Sequence, residues 1–170
     1  MGPRLGLAAT GDLAMRLRCR TAPRRGATLT ELALTITAFL ALVLGSVDLG
    51  IATFRLHVLS QAARMGVRQA IVHGPNAPSG WNGGTWGPST YTAYANASDA
   101  KAQSIAPYLV GLNASQVQIT MQWPGTGSPA NALEQPVSVT LTTTWTPMLG
   151  FIFGSNSYTL RASSEMPIAH

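Results

Sequence analysis

Residues 32–47, LALTITAFLALVLGSV, carry no charge, and beyond Asp48 the apolar character resumes through Leu49, Ile51, Ala52 and Phe54. About 20 residues of helix cross the hydrocarbon core of a bilayer, so a span over about 32–53 is predicted. The pattern then changes rather than stops. Leu56, Leu59, Ala63, Gly66, Val67 and Ala70 continue along one face, opposite a stripe of His57, Gln61, Arg64 and Arg68. No proline intervenes between Pro23 and Pro75. One helix over about 28–72, roughly 70 Å long, is therefore expected, membrane-apolar in its first half and amphipathic in its second.

Past that helix the periodicity shortens. Residues 74–90 hold five glycines and three prolines and form neither a helix nor a central strand. Trp81 and Trp86 in this loop serve either as a ligand platform or, by the commoner use of aromatics, as packing against the domain. Residues 96–106 read as a short helix ended by Pro107. Val117, Ile119, Met121 and Trp123 alternate with polar residues, as do Val137, Val139 and Leu141, and less strictly Tyr158, Leu160, Ala162 and Met166. These are three half-buried strands, and an isolated three-stranded meander needs a partner such as the amphipathic half of the long helix. The expected class is α+β: a long N-terminal transmembrane and amphipathic helix packed on a small antiparallel sheet. Its divisions are a basic leader (1–26), the helix (27–72) and an exported domain (73–170). Met148, Leu149, Phe151, Ile152 and Phe153 make an apolar connector before the last strand, either buried under the sheet or exposed as a subunit contact.

Charge orients this arrangement. The first 25 residues contain Arg4, Arg16, Arg18, Arg20, Arg24 and Arg25 against Asp12, so the net charge of +5 sits wholly in the leader. The positive-inside rule places the N-terminus in the cytoplasm and everything after about residue 55 on the far side of the membrane. A neutral body without clustered bases offers no nucleic-acid footprint, despite a pI of 10.2. Cys19, the single cysteine, has no disulfide partner and reads as an incidental thiol, with palmitoylation a remote alternative. His57, His73 and His170 are scattered, and no metal-ligand spacing, phosphate loop or nucleophile elbow occurs. No enzyme activity, metal or cofactor is expected.

The junction between leader and helix carries the sharpest motif, Arg24-Arg25-Gly26-Ala27-Thr28-Leu29-Thr30-Glu31. Thr28-x-x-Glu31 ahead of an apolar run is also a capping box, which explains Glu31 but neither Gly26 nor the arginine pair. An ordinary secretory signal peptide competes, yet no Ala-x-Ala site follows the run and the helical pattern outlasts the membrane. Glycine after a basic leader, with glutamate five residues on, resembles the type IV prepilin signal. More closely, residues 24–72 resemble the TadE-like pseudopilins, through the Arg-Gly start, Glu31, Asp48-Leu49-Gly50, and Ala62-Ala63-Arg64-Met65-Gly66-Val67-Arg68. Thr30 is more polar than is usual there, and Leu49 stands where an aromatic is common.

That resemblance implies cleavage after Gly26 by a prepilin peptidase, exposing the Ala27 amine. It implies contact with other pilin and pseudopilin subunits and a pilus assembly platform, and a minor role in priming or capping a Tad pilus. The chain would start in the bacterial inner membrane as a single pass, with incorporation into a surface pilus to follow. Glu31 would neutralise a neighbour's Ala27 amine, since an unpaired carboxylate at the hydrocarbon boundary is costly. Asp48 is a second intramembrane acid. It pairs between staggered helices with Arg55, which is about 10 Å along the axis and too far within one chain, or else it marks the water interface. Ala33, Thr37, Ala41 and Gly45 form a small-residue ladder that lets helices approach closely in lipid. The principal rivals are an uncleaved, signal-anchored binding module and, more remotely, an anchored enzyme. A type II secretion pseudopilin is a nearer variant, but those resemble chains with an aromatic first mature residue.

Overall fold

The computed structural model of the protein describes Gly2 and residues 25–81, 83–150, 154 and 157–169. Arg24 and the leader with Cys19, residues 151–153 of the apolar connector, and His170 lie outside the described residues. By its internal contacts the chain divides into two units, Met1–Ala38 and Phe39–His170.

Helix α1 runs from Arg25 to Ile71. It starts three residues before Thr28, so Thr28 and Glu31 lie inside the helix and no capping box forms at its end. The hydroxyls along its apolar stretch turn back on the helix itself. Thr35 donates to the Glu31 carbonyl at 2.8 Å, Thr37 to that of Ala33 at 2.8 Å, Ser46 to that of Val43 at 2.7 Å and Thr53 to that of Gly50 at 2.9 Å. No hydroxyl among these needs water, as a lipid environment demands. The helix is long and apolar enough to cross a membrane.

Four antiparallel strands follow as a meander in the order β1 (Tyr91–Tyr94), β2 (Val117–Gln122), β3 (Pro136–Trp145) and β4 (Tyr158–Pro167). The α+β class with a helix packed on a small sheet is thus observed. Three of the strands match the alternating segments in the sequence. The fourth, β1, was not legible there because it is a four-residue edge strand whose inward positions, Tyr91 and Ala93, are only half-buried. It is recognised by its pairing with β2, Ala93 opposite Ile119. The short helix α2 covers Ala100–Ile105, starting later than expected because residues 95–96 are turn and 98–99 bend, and the chain continues as a 3-10 turn through Pro107.

Ile119, Leu141 and Ala162 sit side by side across β2, β3 and β4, as do Val117, Thr143 and Leu160. This face closes on Leu59, Ala62, Ala63, Val67 and Ala70 of α1, with Ala102 and Ile105 of α2, in one core. The small residues of that helix face are explained by close approach. A Cβ on Gly66 would stand 2.8 Å from Ile105 Cδ1 and 3.2 Å from Val139 Cγ1. Arg64 and Arg68 remain on the exposed face.

Helix and sheet share a register. Tyr158, opening β4, lines a cleft with Leu49, while the Ala169 amide beyond its end donates to the Ile71 carbonyl at 3.0 Å. Eleven residues of strand cover about 36 Å and 22 of helix about 33 Å, so β4 runs alongside α1 in the same direction and β3 returns. The β3–β4 connection therefore lies at the Asp48 level of the helix, and the opposite end of the sheet lies at Ile71.

Candidate functional site

Two places on α1 carry the residues the sequence singled out. At the start, Gly26 is exposed and nothing lies within 4 Å of where its Cβ would be. Glycine in a helix costs about 1 kcal/mol relative to alanine, and among the described residues no neighbour requires it. The contrast with Gly66, where the sheet demands a small residue, is direct. Glu31 is exposed on the second turn, and its carboxylate has no partner among the described residues. It stands within an apolar surface where Leu29, Leu32 and Leu34 are 67%, 55% and 74% exposed. The backbone of Arg25 and Ala27 is helical, while Arg24 falls outside the described residues.

Of the small-residue ladder, Ala33 and Thr37 are exposed and Ala41 and Gly45 are half-buried. The Gly45 position is in ordinary contact with Leu149 of the domain, 3.8 Å from its Cδ1. This end of the ladder is thus already occupied within the chain.

Asp48 is the second place. It is only 4% exposed, and both carboxylate oxygens are engaged by backbone amides of the β3–β4 turn. Met148 N–H donates to Oδ1 at 3.1 Å and Leu149 N–H to Oδ2 at 3.0 Å. Pro147 just before them has no N–H of its own and holds the turn that presents the next two amides together. A buried charge is tolerated when each of its oxygens is met in this way, so a neighbouring molecule's arginine is not required. Arg55 is half-buried and forms no ion pair among the described residues. Sequence reasoning found Asp48 and the apolar turn separately but missed their bond, because main-chain donors leave no mark in residue identity. The signal available was an acid in an apolar run combined with the Thr146-Pro147 break about 100 residues later.

Around Asp48 a cleft of about 400 Å³ is lined by Gly45, Leu49, Trp145, Pro147 and Tyr158. Its walls are almost wholly apolar. The Trp145 and Tyr158 rings stand 6.2 Å apart, and Met148 beside them is 67% exposed.

The tryptophan loop divides. Trp86 is 1% exposed, stacked on His73 at 4.2 Å, with its carbonyl accepting from Asn131 Nδ2 at 2.9 Å. Gly87 next to it has φ +86°, and a Cβ there would fall 2.7 Å from the Trp123 ring. Trp86 is therefore core. Trp81 is 45% exposed and meets His73 edge-on. On the sheet edge Tyr91 donates to the Asp99 carboxylate, and burial together with that acceptor holds the phenol's proton well above its ordinary range. Among the described residues no group of three His, Cys, Asp or Glu side chains is placed to hold a metal ion.

The helix start, the exposed Glu31, Asp48 and the small buried face all fall in one stretch, and that stretch has relatives. Residues 26–68 match the family described as TadE-like protein. The chain carries a TadE-like segment. This bears out the resemblance and associates the protein with the Tad pilus. The matched residues begin at Gly26 and end at Arg68, taking in the apolar stretch and most of the face that packs on the sheet. No curated protein and no solved structure matches the chain significantly.

Proposed function

We propose that the protein is a TadE-like minor pilin, cut after Gly26 by a prepilin peptidase and then taking part in priming, capping or otherwise assembling a Tad-type pilus. The carrying observation is Gly26. It lies at the first residue of the family match, and among the described residues nothing near it gives a packing reason for glycine. A peptidase that must approach the backbone closely supplies that reason. Cleavage removes the arginine cluster and leaves an ammonium at Ala27, four residues from a Glu31 carboxylate that has no partner among the described residues. A neighbouring subunit's amine is a fitting partner for that carboxylate during extraction from the bilayer. On this reading the leader is cytoplasmic, residues 73–170 are extracytoplasmic, the partners are other pilins and the assembly platform, and no catalysis is assigned.

The test is the intact mass of the membrane-extracted chain from cells with and without a prepilin peptidase. Loss of residues 1–26 only when the peptidase is present is the expected result, and Gly26→Val abolishes it. Retention of the leader in cells that process other pilus subunits overturns the proposal and favours an uncleaved, anchored binding module. Glu31→Gln is expected to be cleaved normally but to fail to enter sheared pilus fractions.

A further inference from the structure

Asp48 fixes more than its own charge. Because both its oxygens hold amides of the β3–β4 turn, that turn shares whatever depth Asp48 has in the membrane. A span over about 32–53 puts Asp48 five residues, about 8 Å, inside the outer end of the hydrocarbon core. The exposed apolar surface gives no sign of stopping below that level. Leu42 is 70% exposed, Val47 47%, Leu49 68% and Phe54 54% on the helix, and Met148 continues it on the turn at 67%. Trp145 and Tyr158, which wall the apolar cleft, are the aromatic types that gather where hydrocarbon meets headgroups. The amides of Met148 and Leu149 are satisfied by Asp48 and that of Gly150 by the Pro147 carbonyl, which lowers the cost of placing this stretch of irregular backbone in lipid. At the opposite end of the sheet the chain presents Glu134 and Glu165 to solvent.

We infer that Pro147, Met148 and Leu149, just after β3, form a membrane-embedded element. Before extraction, Met148 inserts among the acyl chains of the outer leaflet, phospholipid fills the cleft of Gly45, Leu49, Trp145 and Tyr158, and Asp48 is the internal cap that makes the insertion tolerable. The domain does not hang from a tether above the bilayer. Its lower edge is seated in it, so that leaving the membrane for a fibre requires lipid to be exchanged for protein at this cleft as well as along the helix. This rests on the reading that α1 crosses a membrane.

The experiment uses the full chain with Cys19→Ser, bearing Met148→Cys, Leu42→Cys or Leu133→Cys in turn. Each is labelled with an environment-sensitive nitrobenzoxadiazole and reconstituted in vesicles of phosphatidylethanolamine and phosphatidylglycerol. Leu42 reports the span and Leu133, 51% exposed near the far end of the sheet, reports water. The label at position 148 is expected to show blue-shifted emission and to lose most of it to doxyl-labelled phospholipid, as the label at 42 does, while the one at 133 responds only to aqueous iodide. Quenching at 42 with none at 148, and iodide access at 148, overturns the inference and leaves the span intact. Shielding of 148 from both quenchers places a second protein copy there and also overturns it. Lack of lipid quenching at 42 removes the membrane reading itself, and this inference with it.

Discussion

Within a single unbroken helix, residues 29–44 and residues 59–70 are both rich in apolar side chains, yet the chain treats them oppositely. Leu42 is 70% exposed and Leu59 fully buried. Apart from Glu31 and its threonines the first stretch is apolar all round, and among the described residues its large side chains are exposed. The second confines its apolar residues to one face, and the sheet of the same chain covers that face. Hydropathy alone does not separate the two, but angular distribution does. An all-round apolar helix awaits a solvent other than water, whereas a striped one awaits its own domain. Asp48, between them, is where the helix passes from one regime to the other.

The largest way to break this contrast is to make the same substitution in both stretches. Leu59→Ala empties a site in the core and is expected to cost about 2–5 kcal/mol of domain stability. Leu42→Ala is expected to leave that stability unchanged to within about 0.5 kcal/mol, as for a surface position. Denaturant unfolding of the whole chain in detergent micelles reads this directly, because all four tryptophans lie after residue 80 and report the domain. Equal losses at the two positions would mean that the first stretch is also held by the domain, and the division drawn here would fall.

The sequence made the helix, its two regimes and three of the strands legible because each has a strong periodic signal. The 3.6-residue stripe of Leu59, Ala63, Gly66 and Ala70 and the alternation of Val117, Ile119 and Met121 are both local in the chain. The edge strand β1 was not legible, since Tyr91-Thr92-Ala93-Tyr94 is too short to establish a period and is defined by its partner. At the site, Gly26 and Glu31 stood out by spacing, and Asp48 by charge. What Asp48 binds could not be read, because the donors are the amides of Met148 and Leu149, and any residue but proline offers the same group. That Thr28 and Glu31 lie within the helix could not be read for a related reason. Thr28 and Glu31 have the composition of a cap, but Arg25 and Gly26 extend the helix beyond them.

A middle-sized effect sharpens the boundary. Asp48→Ala leaves the two turn amides without acceptors, a loss of about 1–3 kcal/mol for groups of this kind. The loss is expected to be local. Hydrogen exchange at the Met148 and Leu149 amides should accelerate strongly, while exchange in β3 at Val139 and Leu141 changes little. Asp48→Asn keeps one oxygen acceptor in nearly the same place and should fall between the parent and the alanine variant. Unaltered exchange at Met148 and Leu149 in the alanine variant would show that the turn is held by other contacts, and Asp48 would lose its place as the join between the two regimes.

The smallest effect separates the regimes by a single hydroxyl. Thr143, 4% exposed in β3, donates to the Gln116 carbonyl at 3.1 Å and so ties the sheet to the turn before β2. Thr37 donates at 2.8 Å to Ala33 on its own helix. Replacement by valine preserves shape at both sites and deletes only the donor. At Thr143 a carbonyl loses its side-chain partner and a tertiary link is cut, for about 1 kcal/mol. At Thr37 the helix carbonyl is left with its backbone bond, and the domain is expected to register less than about 0.5 kcal/mol. The same unfolding measurement should therefore rank Thr143→Val clearly below the parent and Thr37→Val beside it. A reversal would mean that the hydroxyls of the apolar stretch stabilise the folded domain, whereas their geometry assigns them only to bonding carbonyls of their own helix on an exposed apolar surface.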